Sequence, residues 1–259
     1  MQREYVLSKS KYKDPKRLEP YGFNVYSHTE VEGILVEIFK RIGITGSRFF
    51  VDFCVSSPYG ALDSNTHFLL FQGFEGVFIE ESESSCRQIS RNFQSVIDLE
   101  RLTILHSEIT PQNVDGLISQ TKAGKLVDID LLSIHHGGND YHLFQAIKSI
   151  SPRVVLLEFC NKFPPPIECV MPYNKNYVWS DDDVYGASLE STTKLADSKG
   201  YQLVGTDLRG WTAFFVRKDL CKDRFVSDAS AKNLYNNNII KEREIVKNKV
   251  FLDGWSPLF

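Results

Sequence analysis

The chain has 259 residues, 42% hydrophobic and 12% aromatic, with a formal net charge of -3 and an isoelectric point near 6.1. That apolar content can fill one sizeable core, while the mild acidity withholds the broad basic field that a general nucleic-acid or membrane-surface binder needs. Cys54, Cys86, Cys160, Cys169 and Cys221 form no CxxC pair and are odd in number, which argues against a disulfide framework or a zinc ribbon and for a reducing, cytoplasmic setting.

The first twenty residues carry Arg3, Lys9, Lys11, Lys13, Lys16 and Arg17 with no apolar run behind them, so no secretion signal is recognisable and no later stretch has the length of a membrane span. After this polar arm, residues 30–42 (EVEGILVEIFKRI) place Ile34, Leu35, Ile38, Phe39 and Ile42 on one side of a helix. Apolar runs over 48–55, 76–80, 102–109, 127–134 and 154–159 then alternate with helical patterns over 65–72, 85–96, 111–122 and 141–150. Runs that are hydrophobic throughout suit strands covered on both faces. The alternation predicts βαβ units and a doubly wound, Rossmann-like α/β fold.

Pro164, Pro165 and Pro166 exclude a helix at that point. The irregular stretch over 160–185, with Tyr173, Tyr177 and Trp179, reads as a lid-like insertion. A helix over 187–199 follows, and then 201–207 and 211–217 read as an antiparallel hairpin around Leu208, Arg209 and Gly210. The organisation expected is a polar arm over 1–27, an α/β domain over 28–220 and a tail over 221–259. That tail, with Asn236, Asn237 and Asn238, has the weakest structural signal.

Taken in order, the strings GILVEIFKRIGI, FFVDF, DSNTHFLLFQGFEGVFIE, ITPQNV, DLLSIHHGGNDYHLFQAI, SPRVVLLEF, YGASLESTTKLADSKGYQLVG and AFFVRKDL resemble the FkbM-like group of S-adenosylmethionine-dependent methyltransferases. The resemblance covers about residues 27–220. It implies the class I methyltransferase sheet with its antiparallel C-terminal pair, S-adenosylmethionine as cofactor, and a small-molecule or glycan hydroxyl as acceptor. Neither nucleic acid nor a membrane is expected as partner.

Ligands of open α/β sheets sit beyond the carboxyl ends of the strands, at the switch point beside the first strand. In the family, the turn there has an acidic residue, Phe, Gly and then a second Gly. Asp52 keeps the acidic position, whereas Cys54 stands at the first glycine and Pro58 at the second, with Ser56, Ser57 and Gly60 left to rebuild the loop. Glu80 ends the second strand, where a carboxylate can take the ribose hydroxyls of a nucleoside or simply be solvated beside Glu81 and Glu83. Ser107 and Glu108 follow the third strand, beside an adenine position in related folds. Thr110 with Pro111 reads equally as a helix start.

The fourth strand runs into His135, His136, Gly137, Gly138, Asn139 and Asp140, where the family's string looks like DIDGND. His136 is the residue expected to face the pocket as a base, oriented by Asp140 or by Glu158 at the end of the fifth strand. The same three side chains are candidate ligands for a divalent metal, while neighbours leaving a strand diverge, so His135 and His136 are not expected to chelate together. The plainer reading has both histidines finish the strand and Asp140 cap the helix after it. Three functions compete: an O-methyltransferase, a methyltransferase-like binding protein without cofactor, and a metal-assisted hydrolase or nucleotide enzyme, which no Walker, HExxH or GxSxG motif supports.

Overall fold

The computed structural model describes residues 2–27, 29–53, 64–177 and 185–237. Cys54, Ser56, Ser57, Pro58 and Gly60 of the first turn, Trp179 of the insertion and the tail from Asn238 lie outside the described residues.

Seven strands form one sheet: β1 Phe49–Phe53, β2 Glu75–Glu80, β3 Leu102–His106, β4 Leu131–Ile134, β5 Val154–Glu158, β6 Tyr201–Thr206 and β7 Thr212–Arg217. Their order is β3-β2-β1-β4-β5-β7-β6. β1 to β5 pair in parallel, and β7 runs antiparallel to both β5 and β6. The doubly wound sheet with an antiparallel C-terminal pair is therefore present, and β7 inserts between β5 and β6.

The helices are α1 Gln2–Ser8, α2 Val31–Ile42, α3 His67–Phe71, α4 Glu83–Asn92, α5 Gln94–Asp98, α6 Val114–Ser119, α7 Asp140–Ala146, α8 Leu189–Ser198, α9 Lys218–Cys221 and α10 Ala231–Leu234. The central strands β1, β4 and β5 are almost wholly apolar because both their faces are covered, whereas the edge strand β3 exposes Thr103 and His106. Val51, Leu132 and Val155 face a layer with Leu117 of α6, Phe144 of α7 and Leu189 of α8. Phe50, Leu131 and Leu156 face Ile34, Leu35, Ile38 and Phe39 of α2 with Leu69 of α3 and Ile89 of α4.

Three helical expectations change in detail, one of them being the helix over 141–150, which is α7 and stops at Ala146 because Ile147 turns extended. The single helix over 85–96 is two, α4 and α5, because Phe93 breaks from helical geometry at φ -116° and buries its ring 4.6 Å from that of His67. The helix over 111–122 starts only at Val114, and Thr110 does not cap it. Thr110 instead closes a turn, its carbonyl accepting from the Asn113 and Val114 amides while its own amide donates to Asn113 Oδ1 at 2.8 Å.

The polar arm and the chain after β7 meet at a buried hub. Arg17 Nη1 pairs with Glu19 Oε1 at 3.0 Å. Asn236 donates to Glu19 Oε1 at 3.2 Å and Thr206 Oγ1 at 3.1 Å, and accepts from Tyr12 Oη at 2.8 Å and Lys11 Nζ at 3.0 Å. Among the described residues, no helix is long and apolar enough to cross a membrane.

Candidate active site at the carboxyl edge of the sheet

The strand order reverses between β1 and β4, so the crevice of an open α/β sheet lies above the ends of these two strands. Asp52, near the end of β1, is buried and accepts the hydroxyls of Thr66 at 2.7 Å and Ser64 at 3.1 Å on Oδ2. Burial raises its carboxyl above the usual range, against the pull of those hydroxyls and of the His135 charge. Glu80, at the end of β2, is buried and accepts the Ser82 amide at 2.8 Å. Ser107 hydrogen-bonds through its amide to the Glu80 carbonyl at 3.1 Å, and exposed Glu108 pairs with Lys175 at 2.8 Å.

On the other rim the two histidines part, as neighbours leaving a strand must. Their partners differ from expectation. Glu158 pairs with His135, whose Nε2 lies 2.8 Å from Glu158 Oε1. The second oxygen of Glu158 takes a short hydrogen bond from the Tyr185 hydroxyl. His136 is buried and turns away, its Nε2 3.4 Å from Glu81 Oε1, and Glu81 also accepts the Ile109 amide at 2.6 Å. Glu158 therefore does not orient His136. Register explains the exchange: Ile134 pairs with Leu157 in the parallel β4–β5 ladder, so the next residues along, His135 and Glu158, leave the sheet on the same side.

Asp140 is the first residue of α7, with Asn139 at the cap position. It accepts the amides of Gly138 at 3.2 Å and His136 at 3.4 Å, so the expected contact to His136 runs through backbone. Gly137 and Gly138 take φ of +55° and +100°, the left-handed region open to glycine, which folds the loop back onto Asp140. The three candidate metal ligands do not converge: His136 faces Glu81 and Glu158 faces His135 and Tyr185, and among the described residues no group of three or more His, Cys, Asp or Glu side chains is placed to hold an ion.

The charges at this rim set one another. Burial lowers the affinity of His135 for its proton, but the charge and hydrogen bond of Glu158, with Asp140 and Asp52 behind, raise its pKa from 6.5 to about 10. Burial works against ionised Glu158, yet His135 and Tyr185 hold it below the usual range. Burial first and the Glu158 charge second push Asp140 up to about 6, against the pull of His135 and His136. The arrangement is an imidazolium on a carboxylate beside a second carboxyl that exchanges its proton near neutrality.

The insertion docks over this edge. Asn139 and Asn174 exchange hydrogen bonds, side chain to backbone, at 2.9 and 3.3 Å, and His142 Nε2 lies 2.7 Å from the Met171 carbonyl. Tyr177, Tyr185 and Met171 pack with Cys160, Phe163 and Cys169. Cys86, Cys160, Cys169 and Cys221 are free thiols. A cavity of about 230 Å³ lined by Lys148, Pro152, Lys199 and Tyr201 lies at the opposite, amino edge of the sheet, away from these groups. Sequence reasoning missed Tyr185, Glu81 and the role of His135. The strand register holds the signal for His135, whereas Glu81 and Tyr185 are placed by loops with no periodic pattern.

No family profile matches the chain, and no curated protein sequence matches it. Solved structures do resemble it. A SAM-dependent methyltransferase from Aquifex aeolicus aligns with 83% of this chain and 95% of its own at 11% identity and a TM-score of 0.40. Magnesium protoporphyrin IX methyltransferase from Synechocystis, with bound SAM, aligns over 84% and 97% at 12% identity and a TM-score of 0.45. A SAM-dependent methyltransferase from Clostridium acetobutylicum aligns over 83% and 97% at 9% identity and a TM-score of 0.41. These are methyltransferases that use or bind S-adenosylmethionine.

Proposed function

We propose that the chain is an S-adenosylmethionine-dependent O-methyltransferase of the FkbM-like kind, acting in the cytoplasm on a hydroxyl of a sugar, glycan or related small molecule. The observation that carries this reading is the pair of buried carboxylates, Asp52 and Glu80, at the carboxyl ends of adjacent strands beside the switch point. Their chemistry fits a ligand that offers ribose hydroxyls and an ammonium group. Glu80 would hold the ribose, and Asp52 with Ser56 and Ser57 the amino-acid portion. Ser107 and Glu108 would flank the adenine. The cofactor, when bound, supplies an electrophilic methyl group on sulfur.

The opposite rim then serves the acceptor. Asp140, with its pKa raised to about 6, is the group there suited to take the hydroxyl proton near neutral pH. His135, held protonated by Glu158, acts as a hydrogen-bond donor and not as a base. His136, the base expected from sequence, lines the same rim against Glu81, and Tyr185 fixes the carboxylate on which His135 rests.

A second reading, a binding protein built on this fold without cofactor, is favoured by two contacts. One oxygen of Asp52 is already taken by Ser64 and Thr66, and Glu81 approaches His136 across the end of β1. Isothermal titration with S-adenosylmethionine and S-adenosylhomocysteine separates the readings. Micromolar binding that is lost in an Asp52→Ala, Glu80→Ala double variant of unchanged circular dichroism supports the enzyme. No heat and no change in melting temperature with excess ligand leaves the binding protein.

A further inference from the structure

The described part of the insertion ties together two sides of the candidate cofactor crevice. On the β4 side, the Met171 carbonyl accepts from His142 Nε2 at 2.7 Å, the Tyr173 ring stands edge-on to His142 with centroids 5.8 Å apart, and Asn174 exchanges hydrogen bonds with Asn139. The contact is close, because a Cβ on Gly138 would lie 3.4 Å from the Tyr177 ring and 3.5 Å from Met171 Cε. On the β3 side, Lys175 Nζ pairs with Glu108 Oε1 at 2.8 Å. In the sheet order β3-β2-β1-β4, β2 and β1 lie between these anchors, with Glu80 and Asp52 toward their carboxyl ends. Residues 171–177 therefore run as a strap along the rim of the crevice. One atom of the strap lacks a partner: Tyr173 Oη is closed to solvent, and no described residue hydrogen-bonds to it. Burial, with the charges of Glu108 and Glu81 behind it, raises its pKa, so it stays a neutral hydroxyl that can donate and accept. A hydroxyl shut off from water with no partner weakens a fold. The edge of an adenine ring, with its own donor and acceptor, would complete it.

We propose that this strap closes over the adenosine end of the cofactor and that the Tyr173 hydroxyl bonds its base, an inference that rests on the S-adenosylmethionine reading above. In that reading Ser107 and Glu108 flank the adenine, and Lys175, which is bonded to Glu108, stands two residues from Tyr173. The two anchors differ in strength. Asn139 is buried and holds Asn174 by two hydrogen bonds, whereas the Lys175 and Glu108 side chains are 54% and 61% exposed, and an exposed ion pair holds by little. The strap thus opens at the β3 side, where the base enters, and stays hinged at the β4 side.

The test titrates the full-length protein with S-adenosylhomocysteine and with 5′-methylthioadenosine, which lacks the amino-acid portion. Tyr173→Phe should bind both about fivefold to tenfold more weakly, while its melting temperature without ligand is unchanged or higher, because the hydroxyl removed has no partner. Release of S-adenosylhomocysteine, followed by stopped flow, should quicken about threefold in Lys175→Glu and return toward the wild-type rate in Lys175→Glu, Glu108→Lys. Wild-type affinity in Tyr173→Phe together with an unaltered release rate in Lys175→Glu overturns the strap and leaves the S-adenosylmethionine reading standing. A loss confined to S-adenosylhomocysteine overturns the placement at the base, and a lowered melting temperature in Tyr173→Phe shows the hydroxyl to be structural. Failure of the wild-type protein to bind either ligand overturns both the inference and the reading beneath it.

Discussion

Replacing Glu158 by Gln removes the charge that holds His135 protonated while keeping shape and one hydrogen-bond acceptor. The pair is close, 2.8 Å, and unequally covered, with 37% of the His135 side chain and 16% of the Glu158 side chain exposed. In the variant, burial of the imidazole remains and its counter-charge is gone, so the His135 pKa should fall from about 10 to its ordinary 6.5 or below. A raised histidine pKa stabilises the fold fully below the unfolded value near 6.5 and ever less as pH rises toward 10. A lowered glutamate pKa stabilises it above the unfolded value of 4.5 and less as pH falls below that. The loss on substitution is therefore greatest between these two values and fades on the alkaline side. Because over a third of the His135 side chain meets solvent, screening reduces it to about 1–2 kcal/mol. Urea unfolding across pH, with carbon-detected NMR titration of His135, measures both quantities. A wild-type His135 that titrates near 6.5, or a destabilisation that does not vary with pH, refutes the reasoning.

Tyr185→Phe should remove a hydrogen bond that favours ionised Glu158 and so let the Glu158 pKa rise, as read by NMR titration of its carboxyl carbon. Asp207 presents a buried acid: burial, with the Glu30 charge behind it, raises its pKa to about 7 although it accepts the Thr212 and Trp211 amides. The fold then loses stability as pH climbs from the unfolded value near 3.8 toward 7. Asp207→Asn should thus gain about 1–3 kcal/mol over wild type at alkaline pH and nothing in acid, as read by denaturant titration. Asp130→Ala should cost about 3–5 kcal/mol. It strands the buried Arg153 guanidinium, which bonds Asp130 Oδ1 at 3.0 Å, and frees Thr45 and the Phe49 amide. The companion variant Arg153→Met, Asp130→Leu should recover much of that loss. Gly33→Ala forces a Cβ to within 2.2 Å of the Phe23 amide nitrogen and should cost about 1–3 kcal/mol, with proteolysis quickening in the loop before α2.

The strands and α2 are legible in the sequence because their signal is local. A strand buried on both faces has to be apolar at nearly every position, and FFVDF and VVLLE are. A helix lying on a sheet has to repeat its apolar side at helical spacing, and α2 does. The acidic residues Asp52, Glu80 and Glu158 are legible in the same way, since the end of an apolar run marks the carboxyl edge. Tertiary structure alone decided which partner each residue meets. The insertion of β7 between β5 and β6, the choice of His135 over His136 by Glu158, the reach of Tyr185 from a distant loop and the burial of Asn236 among Lys11, Tyr12 and Glu19 all join residues with no fixed spacing along the chain. Periodicity tells which way a side chain faces, but the energy of a charge or a hydrogen bond depends on what lies opposite, and that is set only when the strands have found their register.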